Sequence, residues 1–96
     1  MYARVPTFKM SAESIDAAIP HFEHVTVPRL RDLPGFKGAT LLVSREKGTT
    51  RAIVYWDSRE TLDSSLEPTQ SLRAEYTEKF GAELASLEEF EVAVDV

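Results

Sequence analysis

Ninety-six residues allow one domain and one core. A hydrophobic share of 43% with 28% charged residues is that of a folded soluble domain, and the absence of cysteine excludes disulfides, thiolate chemistry and cysteine-based metal sites. Sixteen acidic against eleven scattered basic residues give a net charge of −5, which argues against nucleic acid, whose binding needs Lys and Arg to neutralise phosphates.

No basic region followed by an apolar run opens the chain, and no apolar stretch approaches the roughly 18 residues of a membrane span. The expectation is a cytoplasmic protein with no membrane partner. Tyr2 to Lys9 predicts a first strand, with Ala3, Val5 and Thr7 on one face and Tyr2, Arg4, Pro6 and Phe8 on the other. Pro6 lacks a ladder donor, so this strand is expected at an edge or with a bulge.

Ser11 is placed as a helix N-cap, with Met10 and Ile15 spaced for a hydrophobic staple. The helix is expected to run to about Asp32, with Ile15, Ile19, Phe22, Thr26, Leu30 and Leu33 on one stripe. Pro20 and Pro28 lie inside the pattern and predict a bend, or a second short piece from Pro28. His21 and His24 are three apart and off the stripe, which favours solvated histidines over a metal site; no metal is expected.

The turn Leu33-Pro34-Gly35-Phe36 then leads into a hairpin, Ala39–Val43 and Arg51–Trp56 joined around Lys47-Gly48. A two-residue turn would pair Ala39 with Trp56, Leu41 with Val54 and Val43 with Ala52. Leu42 with Ile53 and Thr40 with Tyr55 would share the other face; a bulge would exchange the faces. In either register both faces carry large apolar groups, unlike a half-solvated antiparallel sheet.

Asp57 or Ser58 caps the next helix, with Glu60 in capping-box position to Asp57 and Leu62 and Leu66 as the buried edge. Pro68 ends it, and a further helix carries Leu72, Tyr76 and Phe80, stopping at Gly81. The run Glu88-Glu89 with Glu91 reads as a solvated approach to a last strand in which Phe90, Val92, Val94 and Val96 alternate. The order β-α-β-β-α-β is that of an α+β, ferredoxin-like sandwich with both helices on one sheet face. The open face then predicts a sheet-to-sheet homodimer.

The helix ending VPRLRDLPGFKG, the strand ATLLVSR, the glycine hairpin and the junction YWDSRETL together resemble the antibiotic biosynthesis monooxygenase (ABM) superfamily. The resemblance spans nearly the whole chain and implies a single dimeric α+β barrel domain over residues 1–96. It implies two activities: oxidation of polycyclic aromatic phenols without metal or flavin, and haem degradation. The haem branch uses a Trp at the position of Trp56, an Asn on the first strand and a His on the second helix. This chain has no Asn, and residues 58–80 contain no His, which argues against haem degradation.

Trp56, the only tryptophan, is either a core aromatic at the strand-to-helix corner or the wall of a pocket between helices and sheet. Phe22 and Tyr76, on the two helix stripes, would line such a pocket with it. Arg73 and Tyr76 are the candidates for substrate orientation and anion stabilisation, with Tyr55 and Arg4 as alternatives if the register shifts. No nucleophile–base spacing and no phosphate-binding glycine loop is present. Two functions follow: binding of a small apolar or aromatic ligand without catalysis, or a cofactor-independent monooxygenase acting on a polycyclic phenol or quinol. Neither calls for a cofactor.

Overall fold

The computed structural model describes residues 1–96 as β1 (Tyr2–Lys9), α1 (Ala12–His21), a π-helical segment (Phe22–Thr26), α2 (Val27–Arg31), β2 (Phe36–Ser44), β3 (Thr49–Trp56), α3 (Arg59–Ser64), α4 (Leu66–Phe80) and β4 (Glu83–Glu91). The four strands form one antiparallel sheet in the order β2-β3-β1-β4, the split ferredoxin-like arrangement expected. No helix is long and apolar enough to cross a membrane.

The β1 faces divide as the alternation predicts, but β1 is central rather than an edge strand. The Pro6 problem is met within the sheet: Pro6 pairs with Leu87 of β4, the β1–β3 pairing skips it, and the β4 register shifts between Thr7 and Phe8.

Ser11 caps α1 and accepts the Ser14 amide at 3.2 Å. Pro20 is accommodated inside α1, and the expected second short piece at Pro28 is α2, reached through a widened turn. The Val27 amide bonds to the Phe22 carbonyl, five residues back, immediately before Pro28, whose missing N–H and ring disfavour the regular pattern. Ile15, Phe22 and Leu30 of this stripe are buried, with Ala18 on its flank, and His24 is exposed beside Glu23. His21 differs from the solvated expectation: it is half-buried, its ring 5.2 Å from Phe80 edge-on.

The hairpin register is displaced by two residues from the expected one. Ala39 pairs with Val54, Leu41 with Ala52, Thr40 with Ile53 and Leu42 with Arg51. Ser44 and Thr49 make the last pair, so the connection has four residues, and the Ser44 hydroxyl accepts the Lys47 amide at 3.3 Å. Because the displacement is even, each side chain keeps its expected face. A shift between Phe36 and Gly38 takes up the difference at the far end.

Ser58, not Asp57, caps α3, and Thr61 rather than Glu60 completes the capping box. Leu62 is fully buried but Leu66 is exposed, because the chain breaks at Ser65 and Leu66 opens α4 on its outer side. Pro68 therefore sits in the first turn of α4, where no N–H is required. Gly81 ends α4 in the left-handed conformation, as expected.

The last strand begins seven residues earlier than the valine alternation suggests and ends at Glu91, with Val94 and Val96 exposed. Its pairing with β1 ends at Tyr2 and Glu91, and the Val92 amide bonds to the Met1 carbonyl at 2.9 Å just beyond it.

Candidate functional site

The helices bury the sheet face in two clusters. One gathers Phe22, Leu30, Ala52, Val54, Trp56 and Leu62; the other gathers Phe8, Met10, Ile15, Ala18 and Tyr76. A cavity of about 60 Å³ lies where they meet, walled by residues of both, Trp56, Phe22 and Leu30 from the first and Phe8 and Tyr76 from the second. That is well below the ~300 Å³ of the smaller drug-sized sites. A single ring edge is admitted as the walls stand, and a fused ring system requires the helices to give way.

Trp56 ends β3, where the strand turns into the loop before α3. Its ring is fully buried, 6.0 Å from Phe36 at 75°, and so fills the corner as a core aromatic would. It also lines the cavity, and its Nε1 has no hydrogen-bond partner. A buried donor left unpaired costs about 1–3 kcal/mol, so this indole N–H is an unsatisfied donor beside the cavity.

Tyr76 enters from α4 and stacks obliquely on Phe8, centroids 4.6 Å apart. Its hydroxyl is 3.0 Å from that of Thr50, and both reach Met10 Sδ at 3.4 Å. Burial raises the Tyr76 pKa, partly offset by the Thr50 hydrogen bond. The phenol is therefore neutral across the ordinary pH range.

Two arginines also line the cavity. Arg4, 2% exposed on β1, donates to Glu89 Oε2 at 2.7 and 3.2 Å, to Ser65 Oγ at 2.7 Å and to the Leu62 carbonyl at 2.8 Å. Glu89 is thus the counter-ion of a buried cation, which corrects its reading as part of a solvated acidic run. Arg73, half-buried on α4, donates to Thr69 Oγ1 at 2.9 Å and to the Leu66 carbonyl at 3.4 Å, and meets no carboxylate. Desolvation first, then the charge of Arg4, lowers its pKa.

Of the residues singled out in the sequence, Trp56, Phe22, Tyr76, Arg73 and Arg4 all line the one cavity. Tyr55 lies on the opposite sheet face, one residue out of phase with Trp56. His21 and His24 lie outside the cavity, and no histidine or carboxylate lines it. Burial, reinforced by Lys79 and Arg29 and opposed by Glu75, lowers the His21 pKa. Thr50 and Thr69 were not foreseen; strand alternation puts Thr50 on the Trp56 face, but nothing local marks its hydroxyl as buried.

No family model matches the chain. It is 36% identical over 93 residues to the uncharacterized protein Rv2557 of Mycobacterium tuberculosis, and 31% identical over 94 residues to Rv2558 of the same organism. The match covers 97% and 98% of this chain but only 41% and 39% of those relatives, so the chain spans about two fifths of their length. Among solved structures it is similar to the haem degrader MhuD from M. tuberculosis with two haems bound, at a TM-score of 0.77, 24% identity and coverage of 100% and 99% of the two chains. It is also similar to the ActVA-Orf6 monooxygenase of Streptomyces coelicolor in complex with nanaomycin D (0.76, 15%, 99% and 89%). A third similar structure is SnoaB, a cofactor-independent oxygenase of Streptomyces nogalater (0.70, 16%, 99% and 95%). The sheet, the helices on one side of it and the cavity beneath Trp56 are therefore built on the α+β fold that the ABM-type monooxygenases and MhuD share.

Proposed function

We propose that the chain binds a small aromatic ligand, without turning it over, in the cavity between helices and sheet. The observation that carries this is the Trp56 indole, fully buried in the cavity wall with its N–H unpartnered. An aromatic ligand would pack against Phe22 and Trp56 and, once the walls adjust to it, accept from that N–H. Binding is preferred over catalysis because no carboxylate or histidine reaches the cavity, so no general base is at hand to ionise a phenol.

The second reading is a cofactor-independent monooxygenase, favoured by Arg73 and Tyr76 meeting at the same wall. There an already ionised phenol or quinol would itself reduce oxygen, one atom entering the ring and the other leaving as water. Arg73 would hold the substrate anion and the apolar walls would exclude water. Haem is disfavoured as a substrate here because no histidine lines the cavity.

The unit that carries the site is proposed to be a homodimer closed through the open sheet face. Leu42, Ile53, Tyr55 and Phe90 make that face apolar, with Leu42 and Phe90 half-exposed.

Trp56 emission during titration with anthrone-type phenols, quinols and haemin tests the reading, with inner-filter correction. Saturable quenching by one class, weakened in Phe22→Ala, is expected. Oxygen uptake with that class would move the assignment to the monooxygenase, and a flat response to every compound would sink the pocket altogether.

A further inference from the structure

Two arginines line the cavity, Arg4 buried and Arg73 half-buried, and they differ in how their charge is met. Arg4 has its charge met by Glu89 and its remaining donors met by Ser65 and the Leu62 carbonyl. Arg73 has only a hydroxyl and a distant carbonyl. A guanidinium partly removed from water gains more from a carboxylate or phosphate than from the neutral acceptors Arg73 has, since a charge-assisted pair is the stronger one. No acidic side chain lines the cavity to supply one.

Arg73 thus leaves one positive charge without a carboxylate partner at the edge of walls that are otherwise apolar or neutral. Resting on the ligand-binding reading above, we propose that the site selects an aromatic monoanion, a carboxylate or phenolate whose single charge lies against Arg73. A neutral analogue leaves Arg73 unpaired, and a dianion brings a second charge for which Arg4 is no longer free. Glu89 therefore sets the charge of the ligand without touching it: it cancels Arg4 from the β4 side and leaves the cavity with one cation instead of two.

The test uses the Trp56 indole N–H, a single resonance in the protein spectrum because the chain has one tryptophan. It is followed during titration with the single-ring probes benzoate, benzamide and terephthalate at neutral pH. Benzoate is expected to bind about tenfold or more tighter than the isosteric amide, the margin of a charge-assisted hydrogen bond, and tighter than the dianion. Arg73→Gln should bring acid and amide to equal affinity, and Arg73→Lys should keep the preference for the acid. Glu89→Gln, with Arg4 still held by Ser65 and Leu62, should raise the affinity of the dianion relative to the monoanion.

Acid and amide binding alike to the unaltered protein would overturn the charge assignment while leaving the pocket intact. A preference for the acid that survives in Arg73→Gln would overturn it equally. An indole resonance that no compound moves would overturn the ligand-binding reading and this inference with it. The dispersion of the remaining amide signals reports folding in every variant, and Arg73→Gln decides the matter if Glu89→Gln does not fold.

Discussion

The Gly35 carbonyl accepts the Asp57 amide at 2.9 Å, tying the turn before β2 to the residue after β3. Gly35 has φ +81°, and a Cβ there would overlap the Thr61 side chain and lie 2.6 Å from Asp57 Oδ1. Gly35→Ala therefore combines backbone strain with a clash against the α3 cap, at a combined cost of about 3 kcal/mol. A fall of that size in the unfolding free energy, read as a lower urea midpoint, is expected. An unchanged midpoint would mean that this junction is not rigid.

The same junction is sensitive to acid. The Thr61 hydroxyl donates to Asp57 Oδ1 at 2.7 Å and, as the largest cause, lowers the carboxyl pKa below its ordinary 3.8. A depressed folded pKa gives stability that is present above 3.8 and lost as pH falls through the folded value. Urea midpoints from neutral pH down to about 2.5 should fall more steeply at the acid end for the native chain than for Asp57→Asn. Parallel curves would remove Asp57 from the account.

Thr50 and Tyr76 share one hydroxyl contact and one sulfur acceptor, so their contributions are coupled. Tyr76→Phe and Thr50→Val should each cost about 1 kcal/mol, and the double variant less than the sum. The raised Tyr76 pKa adds a second readout with the opposite pH sense. The unfolded chain releases the phenolic proton near 10 while the folded chain retains it, so stability falls as pH passes that value. Tyr76→Phe should flatten the alkaline limb.

On the open sheet face, Phe90 is 50% and Leu42 47% exposed, so charged replacements there disturb little within one chain. Phe90→Asp with Leu42→Asp should lower the mass seen by light scattering from two chains to one while the far-ultraviolet spectrum is retained. A native chain that already scatters as a monomer would refute the dimer.

The fold was legible because the chain's apolar alternation, helix stripes and glycine turns agree with one another, and the even hairpin displacement kept Ala39, Leu41, Val54 and Trp56 on the helix side. What escaped was set by partners distant in sequence. The valines after Glu91 alternate as well as any strand, yet the β1–β4 pairing ends at Tyr2 and Glu91. Glu89 looks like one more solvated acid until Arg4, 85 residues earlier, is placed opposite it. Trp56, Phe22, Tyr76 and Arg73 could each be suspected from composition and stripe. That the gap between two half-cores falls at those four residues is a product of packing, which no single segment encodes.

In a regular helix, Phe22 and Leu30 would point about 80° apart, since eight residues at roughly 100° each overshoot two turns. The wide turn from Phe22 to Thr26 absorbs one residue and brings the two back to within about 20°, both onto the sheet. The chain thus carries a spare residue in its register at the cavity wall. Deleting Val25, whose side chain is exposed, should tighten the turn to ordinary helix with both anchors in place. Thr26 would then change its azimuth, and the cavity its outline. A one-residue change in length at this point is thus a route by which related chains can reshape the cavity without disturbing the sheet.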